Sequence, residues 1–226
     1  REGEIIGIVG KNALGKSLFV KLLAGEEKPD EGESGQFTVS YKPQYIKPEE
    51  GRTVFSLFSG EDIDPLIAEK AKRELSLAKL MDKELTKLSG GELQRVSIAH
   101  ALSRKADIYL FDEPTAFMDI EQRLRFAELL RHAINETEKS AFVVDHDIVF
   151  LDAIANRLMV FEGESSVRGH ACAPAEKREG MNAFLRLAGI TMRRDKDSKR
   201  PRINKPGSVL DREQREQNEY YYSSND

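Results

Sequence analysis

Ile5-Ile6-Gly7-Ile8-Val9-Gly10-Lys11-Asn12-Ala13-Leu14-Gly15-Lys16-Ser17, continuing as Leu18-Phe19-Val20-Lys21-Leu22-Leu23, is the stretch on which the reading of this chain turns. Residues 5–9 form an apolar run with the length and composition of a buried parallel strand, and residues 18–23 have helix-compatible apolar spacing. Gly10 to Ser17 lies between them with the spacing of a phosphate-binding loop, G-x-x-x-x-G-K-S. In that context the loop amides and the helix N-terminus converge on a polyphosphate. Lys16 would then reach the β- and γ-phosphates. Ser17 would offer a hydroxyl to Mg2+, a hard cation that takes oxygen ligands. A Gly-rich turn with a solvated lysine is the plainer alternative, but it leaves strand, loop and helix in register unexplained.

A second apolar run, Ile108-Tyr109-Leu110-Phe111, ends directly in Asp112-Glu113-Pro114. Adjacent carboxylates at a strand end suit divided roles, Asp112 supporting the Mg2+ shell and Glu113 acting as general base on an attacking water. Two solvated acids at a turn would not need four apolar residues ahead of them. A third run, Ala141-Phe142-Val143-Val144, places His146 just past another strand end, where it could contact the terminal phosphate. A lone histidine is weak evidence, and only its place in this order raises it.

At 226 residues the chain can bury one substantial α/β core with a small inserted lobe and a tail. Charged residues make up 33% and the formal net charge is −4, so there is no global polyanion-binding signal, and any nucleic-acid contact would come from a local patch. No apolar run is long enough to cross a bilayer and Arg1-Glu2-Gly3-Glu4 has no signal-peptide pattern; the expectation is a soluble, cytoplasmic protein with no membrane partner. The single cysteine, Cys172, excludes an internal disulfide and a cysteine-ligated iron–sulfur cluster within this chain. The chain starts without methionine and almost at once enters the loop strand, which leaves no room for an adenine-stacking aromatic ahead of it and reads as a fragment of something longer.

Composition separates three segments. Residues 1–48 and 103–165 read as the core that carries the phosphate loop, in which apolar strands alternate with amphipathic helices such as Glu121 to Asn135. Residues 49–102 read as a helical lobe. It includes Asp64 to Leu80 and Leu88 to Leu102, the latter with Leu93, Val96, Ile98, Ala99 and Leu102 as an apolar face. Residues 166–226 are rich in Arg, Lys, Pro and Gly, end in Tyr220-Tyr221-Tyr222-Ser223-Ser224-Asn225-Asp226, and are expected to be largely loop or docked extended chain.

Leu88-Ser89-Gly90-Gly91-Glu92-Leu93-Gln94 decides between families of phosphate-loop proteins. A serine and two glycines ahead of a helix offer a hydroxyl and open amides to an anion. An ordinary N-cap at Ser89, with Glu92 completing a capping box, is compatible with the same residues. Together with Gln44 and Asp112-Glu113 the segment resembles the signature of ABC ATPases, which implies a doubly covered, mainly parallel α/β cassette binding ATP and Mg2+. The resemblance implies that Gly10, Lys11, Asn12, Ala13, Leu14, Gly15, Lys16, Ser17 and Leu18 bind the nucleotide. Ser17, Gln44 and Asp112 would serve Mg2+, and Glu113, His146 and Gln44 catalysis. Ser89, Gly90, Gly91 and Glu92 would contact a nucleotide held by a second cassette, with Asp119 in the D-loop beside them.

Further segments resemble the C-terminal cassette of ABC subfamily E, the ribosome-recycling factor also called RNase L inhibitor. They are Tyr41-Lys42-Pro43-Gln44-Tyr45, Asp112 to Arg123, Val144-Asp145-His146-Asp147, Arg157 to Gly163, Arg178-Glu179-Gly180-Met181-Asn182, Arg200 to Ser208 and Leu210-Asp211-Arg212-Glu213-Gln214. The tail segments carry the subfamily likeness, because transporter ATPases have no reason to share them. The resemblance implies a parent chain with an N-terminal iron–sulfur domain and two cassettes facing head to tail. It also implies action on the small ribosomal subunit with release factors, and a hinge formed by 166–226. Lys11, Ala13 and Leu14 stand where the family usually has proline, glycine and isoleucine, and Met118 replaces a leucine. The basic stretch Thr191 to Lys205 is open to three readings: ribosomal RNA contact, docking on the other cassette, or an internally paired charge cluster. A transporter ATPase subunit and a noncatalytic nucleotide-binding module are the alternative functions.

Overall fold

A computed structural model of the chain describes residues 3–31, 37–195 and 201–222. Strand β1 (Ile5–Gly10) leads through the phosphate loop into helix α1 (Lys16–Ala24), and β2 (Val39–Lys42) follows. The inserted lobe contains α2 (Val54–Leu57), α3 (Pro65–Glu74) and α4 (Gly90–Ser103). The chain then alternates through β3 (Ile108–Asp112), α5 (Ile120–Thr137), β4 (Ser140–Val144), α6 (Ile148–Ile154) and β5 (Arg157–Glu164). The last segment holds β6 (Arg168–Ala171), β7 (Ala175–Glu176), α7 (Lys177–Ala188), β8 (Met192–Arg194), β9 (Pro201–Ile203) and α8 (Val209–Glu216).

The main sheet runs β2-β3-β4-β1-β5-β6, parallel from β2 to β5, with β6 and β7 both antiparallel on β5. Successive side chains of a strand point to opposite faces, so a strand covered on both sides reads as a continuous apolar run. That is the physical content of the apolar runs in the sequence. Tyr109, Phe111, Ala141, Val143, Leu158 and Val160 enter a large core with α4, α5 and α6. Ile6, Ile8, Leu110, Val144, Met159 and Phe161 enter a smaller one with Val20 of α1. The α/β fold with a mainly parallel sheet is therefore as expected.

Caps set the helix starts. Asp64 accepts from Leu66 and Ile67 ahead of Pro65, Asp119 from Gln122, and Asp147 from Val149 and Phe150. The helix expected over Asp64 to Leu80 stops at Glu74, and a 3-10 turn at Ala78–Leu80 follows. On α4, Val96, Ile98, Ala99 and Leu102 are buried as expected, but Leu93 is only half-buried while Gln94 is buried.

The tail meets its expectation in part, since β8, β9 and Tyr220 to Tyr222 are docked extended chain, whereas α7 and α8 are helices. Much of it is regular, and Met181, Leu185, Met192, Tyr221 and Tyr222 belong to the same large core as the sheet. Its amphipathic stripe buries apolar area that water would otherwise disfavour, at about 25 cal/mol per Å². Three arginines of the basic stretch are internally engaged. Arg193 donates to Asn204 Oδ1 at 2.6 Å, Arg194 lies over the Tyr222 ring at 4.8 Å, and Arg202 pairs with Asp195 at 3.1 Å. Lys196, Asp197, Lys199 and Arg200 lie outside the described residues, as do Ser223 to Asp226.

Candidate functional site

The carboxyl ends of β1, β3 and β4 lie side by side, so parallel pairing brings together three loops distant in sequence. Open α/β sheets hold ligands outside these strand ends. Beyond β1, Gly10 takes φ +152°, and a Cβ there would sit 2.7 Å from the Phe161 carbonyl oxygen. Ala13 has φ 59°, a left-handed conformation that normally falls to glycine. Gly15 caps α1 at φ 91° with no side-chain cap bond. The β5–β6 hairpin braces this loop. Ser166 N donates to Ala13 O at 2.9 Å, and a Cβ on Gly169 would lie 2.0 Å from Leu14 O.

Lys16 is 7% exposed and donates to Gly10 O at 2.8 Å and Lys11 O at 2.7 Å. Burial lowers its pKa, against the opposing pull of Glu113 and Asp112. A bound polyphosphate would relieve that burial penalty by supplying counter-charge.

At the end of β3, Asp112 is buried, and burial raises its pKa against the opposing pull of the nearby Ser17 hydroxyl. Among the described residues its Oδ1 is buried with no hydrogen-bond partner. A carboxylate oxygen stranded beside the Ser17 hydroxyl is the donor chemistry a hard, oxygen-seeking cation needs, so the residues fit Mg2+. Gln44 is half-buried two residues past Lys42, which pairs with Phe111, so it leaves the same edge of the sheet.

Glu113 takes φ 48° and donates its amide to Val144 O at 2.8 Å. Its Oε1 lies 3.0 Å from His146 Nε2. Thus the second carboxylate and the histidine, 33 residues apart, form one polar pair beside the phosphate loop. Asp145 does not join it. Buried, with its pKa raised by burial, it accepts from Thr115 N and Oγ1 and from Asp147 N, fixing the turns that present Glu113 and His146.

Gly10, Lys11, Asn12 and His146 form one wall of a cleft of about 400 Å³, and Phe184 and Leu187 of α7 form another. The tail therefore borders the phosphate loop. Leu18 is exposed on the first turn of α1.

Ser89, Gly90, Gly91 and Glu92 open α4. Ser89 Oγ accepts from Glu92 N at 3.3 Å and Ser89 N donates to Glu92 Oε2 at 2.9 Å, a complete capping box. Ser89 and Gly90 are exposed, and a Cβ on Gly91 would lie 3.3 Å from Phe117 O, in the loop that carries Asp119. The signature thus forms a separate open face with Asp119 and the 80%-exposed Phe117.

Two residues beside the site lie in quoted motifs but have no role of their own in the sequence reading. Lys42 is 1% exposed and donates to Asp112 O at 3.1 Å and Glu113 O at 3.4 Å. Burial lowers its pKa to about 8, opposed by Asp112, Asp145 and Glu113. Gln94 Nε2 donates to Glu113 O at 3.1 Å and Pro114 O at 2.8 Å. The available signal was a polar residue within the apolar stripe of α4.

The family model described as ABC transporter matches residues 1–116. The chain is 53% identical over 228 residues to an uncharacterized ABC transporter ATP-binding protein of Methanocaldococcus jannaschii, covering 98% of this chain and 38% of that protein. It is 42% identical to Translation initiation factor RLI1 of Saccharomyces cerevisiae, covering 99% of this chain and 38% of that protein. A solved archaeal ribosome recycling factor, in complex with the archaeal ribosomal stalk protein, superposes with a TM-score of 0.92 at 51% identity, over 99% of this chain and 44% of that one. The chain thus spans about two fifths of the length of these curated relatives. Among the described residues no helix is long and apolar enough to cross a membrane.

Proposed function

The chain belongs to the ABC family, in its subfamily E, and from that membership we propose that it is the ATP-hydrolysing C-terminal cassette of a ribosome-recycling factor. The observation that carries the catalytic part is the Glu113–His146 pair at 3.0 Å, set beside a phosphate loop and a stranded Asp112 oxygen.

Residues Gly10 to Leu18 bind the polyphosphate through loop amides and the Lys16 ammonium. Ser17, Asp112 and Gln44 would hold Mg2+, which when bound neutralises charge on the β- and γ-phosphate oxygens. Glu113 orients the attacking water and accepts its proton, and His146 fixes the carboxylate while reaching toward the terminal phosphate. Ser89, Gly90, Gly91 and Glu92, with Asp119 beside them, serve a nucleotide held by a second cassette of the parent chain.

In this reading residues 1–48 and 103–165 are the ATP-binding core, 49–102 the signature lobe, and 166–226 a hinge-like extension. The parent chain supplies the second cassette and an N-terminal iron–sulfur domain, and works in the cytoplasm on the small ribosomal subunit with release factors. Closure of the cassettes on ATP drives subunit separation, and hydrolysis resets the factor. The basic stretch Thr191 to Lys205 keeps three readings, contact with ribosomal RNA, docking on the other cassette or an internally paired cluster, and the pairing of Arg193 and Arg202 supports the last.

The test is ATP-dependent co-sedimentation of the Glu113→Gln parent protein with small ribosomal subunits. Nucleotide-dependent binding, with turnover down by about a hundredfold or more, supports the reading. ATP occupancy without ribosome binding moves the assignment to a transporter subunit.

A further inference from the structure

We propose that Gln94 and Lys42 are positioning residues for Glu113, and that Gln94 ties the placement of that carboxylate to the helix that begins with the signature. The proposal rests on Glu113 being the base, and its observations are geometric. Glu113 holds a left-handed backbone at φ 48°, which costs a non-glycine residue roughly 1 kcal/mol and persists only where the surroundings hold it. Besides the backbone bonds to Val144 O and from Ala116 N, the side chains that hold this turn come from two different elements. Lys42 reaches from β2 to the carbonyls of Asp112 and Glu113, and Gln94 reaches from α4 to those of Glu113 and Pro114. The Glu113 carbonyl is where both donors meet.

Both side chains are nearly sealed from water, Gln94 at 3% exposure and Lys42 at 1%. A buried amide or ammonium is costly unless its hydrogen bonds are made, so apolar side chains would fill these places at less cost if packing were the only demand. What the polar groups supply is orientation of three consecutive peptide planes. Rotating the Glu113 plane would swing its carboxylate away from His146, now 3.0 Å distant.

Gln94 also lies little more than one turn along α4 from Ser89-Gly90-Gly91. A shift of this helix when the signature meets a nucleotide in trans would therefore pull directly on the backbone of the base in its own cassette. One side chain links the open signature face to the hydrolytic pair.

The experiment compares Gln94→Met and Lys42→Met, which keep approximate length and remove the donors, in the parent protein. Amide exchange of the peptide spanning residues 112–117 should accelerate in both variants, and kcat should fall about tenfold to a hundredfold while ATP Kd stays near wild type and the thermal midpoint drops by no more than a few degrees, as loss of buried hydrogen bonds requires. Gln94→Glu, which turns a carboxylate toward two carbonyls, should fall furthest. Unchanged exchange overturns the proposal whether or not the protein hydrolyses ATP. Loss of Kd, midpoint and kcat together also overturns it, since that is general destabilisation. A wild-type protein that binds ATP without turnover sinks the ATPase reading instead, and the exchange measurement still decides whether these residues grip the Glu113 turn.

Discussion

Ala13 shows how one residue of the loop is set by backbone geometry. Its φ of 59° is one a Cβ disfavours, and the Ser166 amide holds its carbonyl at 2.9 Å. Ala13→Gly should raise stability by about 1 kcal/mol, read as a higher urea midpoint, because strain relief exceeds the added freedom of the unfolded chain. Lys42 makes a different statement. Its folded pKa is lowered to about 8 from 10.5, so between those values the unfolded chain binds more protons. The contribution of Lys42 to stability must therefore rise with pH across that window, being smallest where both states are protonated. Urea titrations from pH 7 to 10.5 should show this rise in wild type and a flatter profile in Lys42→Met.

At the scale of elements, the β5–β6 hairpin and the start of α4 are the parts most exposed to test. Gly169 faces Leu14 O so closely that a Cβ would meet it at 2.0 Å. Gly169→Ala should push the hairpin off the phosphate loop, lowering stability by about 2 kcal/mol and weakening ATP binding, both measurable in one ligand-dependent melting series. At α4, capping and trans contact fall on the same serine. Ser89→Asp keeps an N-cap acceptor and should leave the thermal midpoint nearly unchanged. Its added negative charge faces the place where a partner's phosphates would lie, so ATPase activity of the parent protein should collapse. Equal activity would mean that Ser89 is a cap only.

For the whole molecule, the tail completes the core. Asp152 of α6, 5% exposed, accepts from Tyr221 OH and from Tyr222 OH at 3.2 Å, and Lys177 of α7 donates to its backbone carbonyl at 2.9 Å. Burial raises the pKa of both tyrosines, with Asp152 adding to it, so they remain neutral donors at physiological pH. A second polar knot, Thr191, Asn204, Asp211 and Gln214, joins the β8–β9 pair to α8. Met192→Ala should cost roughly 3 kcal/mol and Tyr221→Phe about 1–2 kcal/mol in denaturant unfolding, as core positions do and a loosely attached extension would not.

Local chemistry was legible from the residues alone. An apolar run, a G-x-x-x-x-G-K-S loop and carboxylates at a strand end define strands, phosphate loop and candidate base, because these depend on period, spacing and residue type within about twenty positions. Asp112, Glu113 and His146 were legible for that reason. Lys42 and Gln94 were not, since their roles exist only once β2 and α4 converge on one turn. The helices of the tail, α7 and α8, were missed for a related reason. The tail's charge and proline content resemble solvated loop, while the burial of Met181, Met192 and the two tyrosines depends on surfaces contributed by β5 and α6, far away in the chain. Pairings of that kind are decided by tertiary packing, because buried area and satisfied hydrogen bonds belong to two segments jointly and are a property of neither alone.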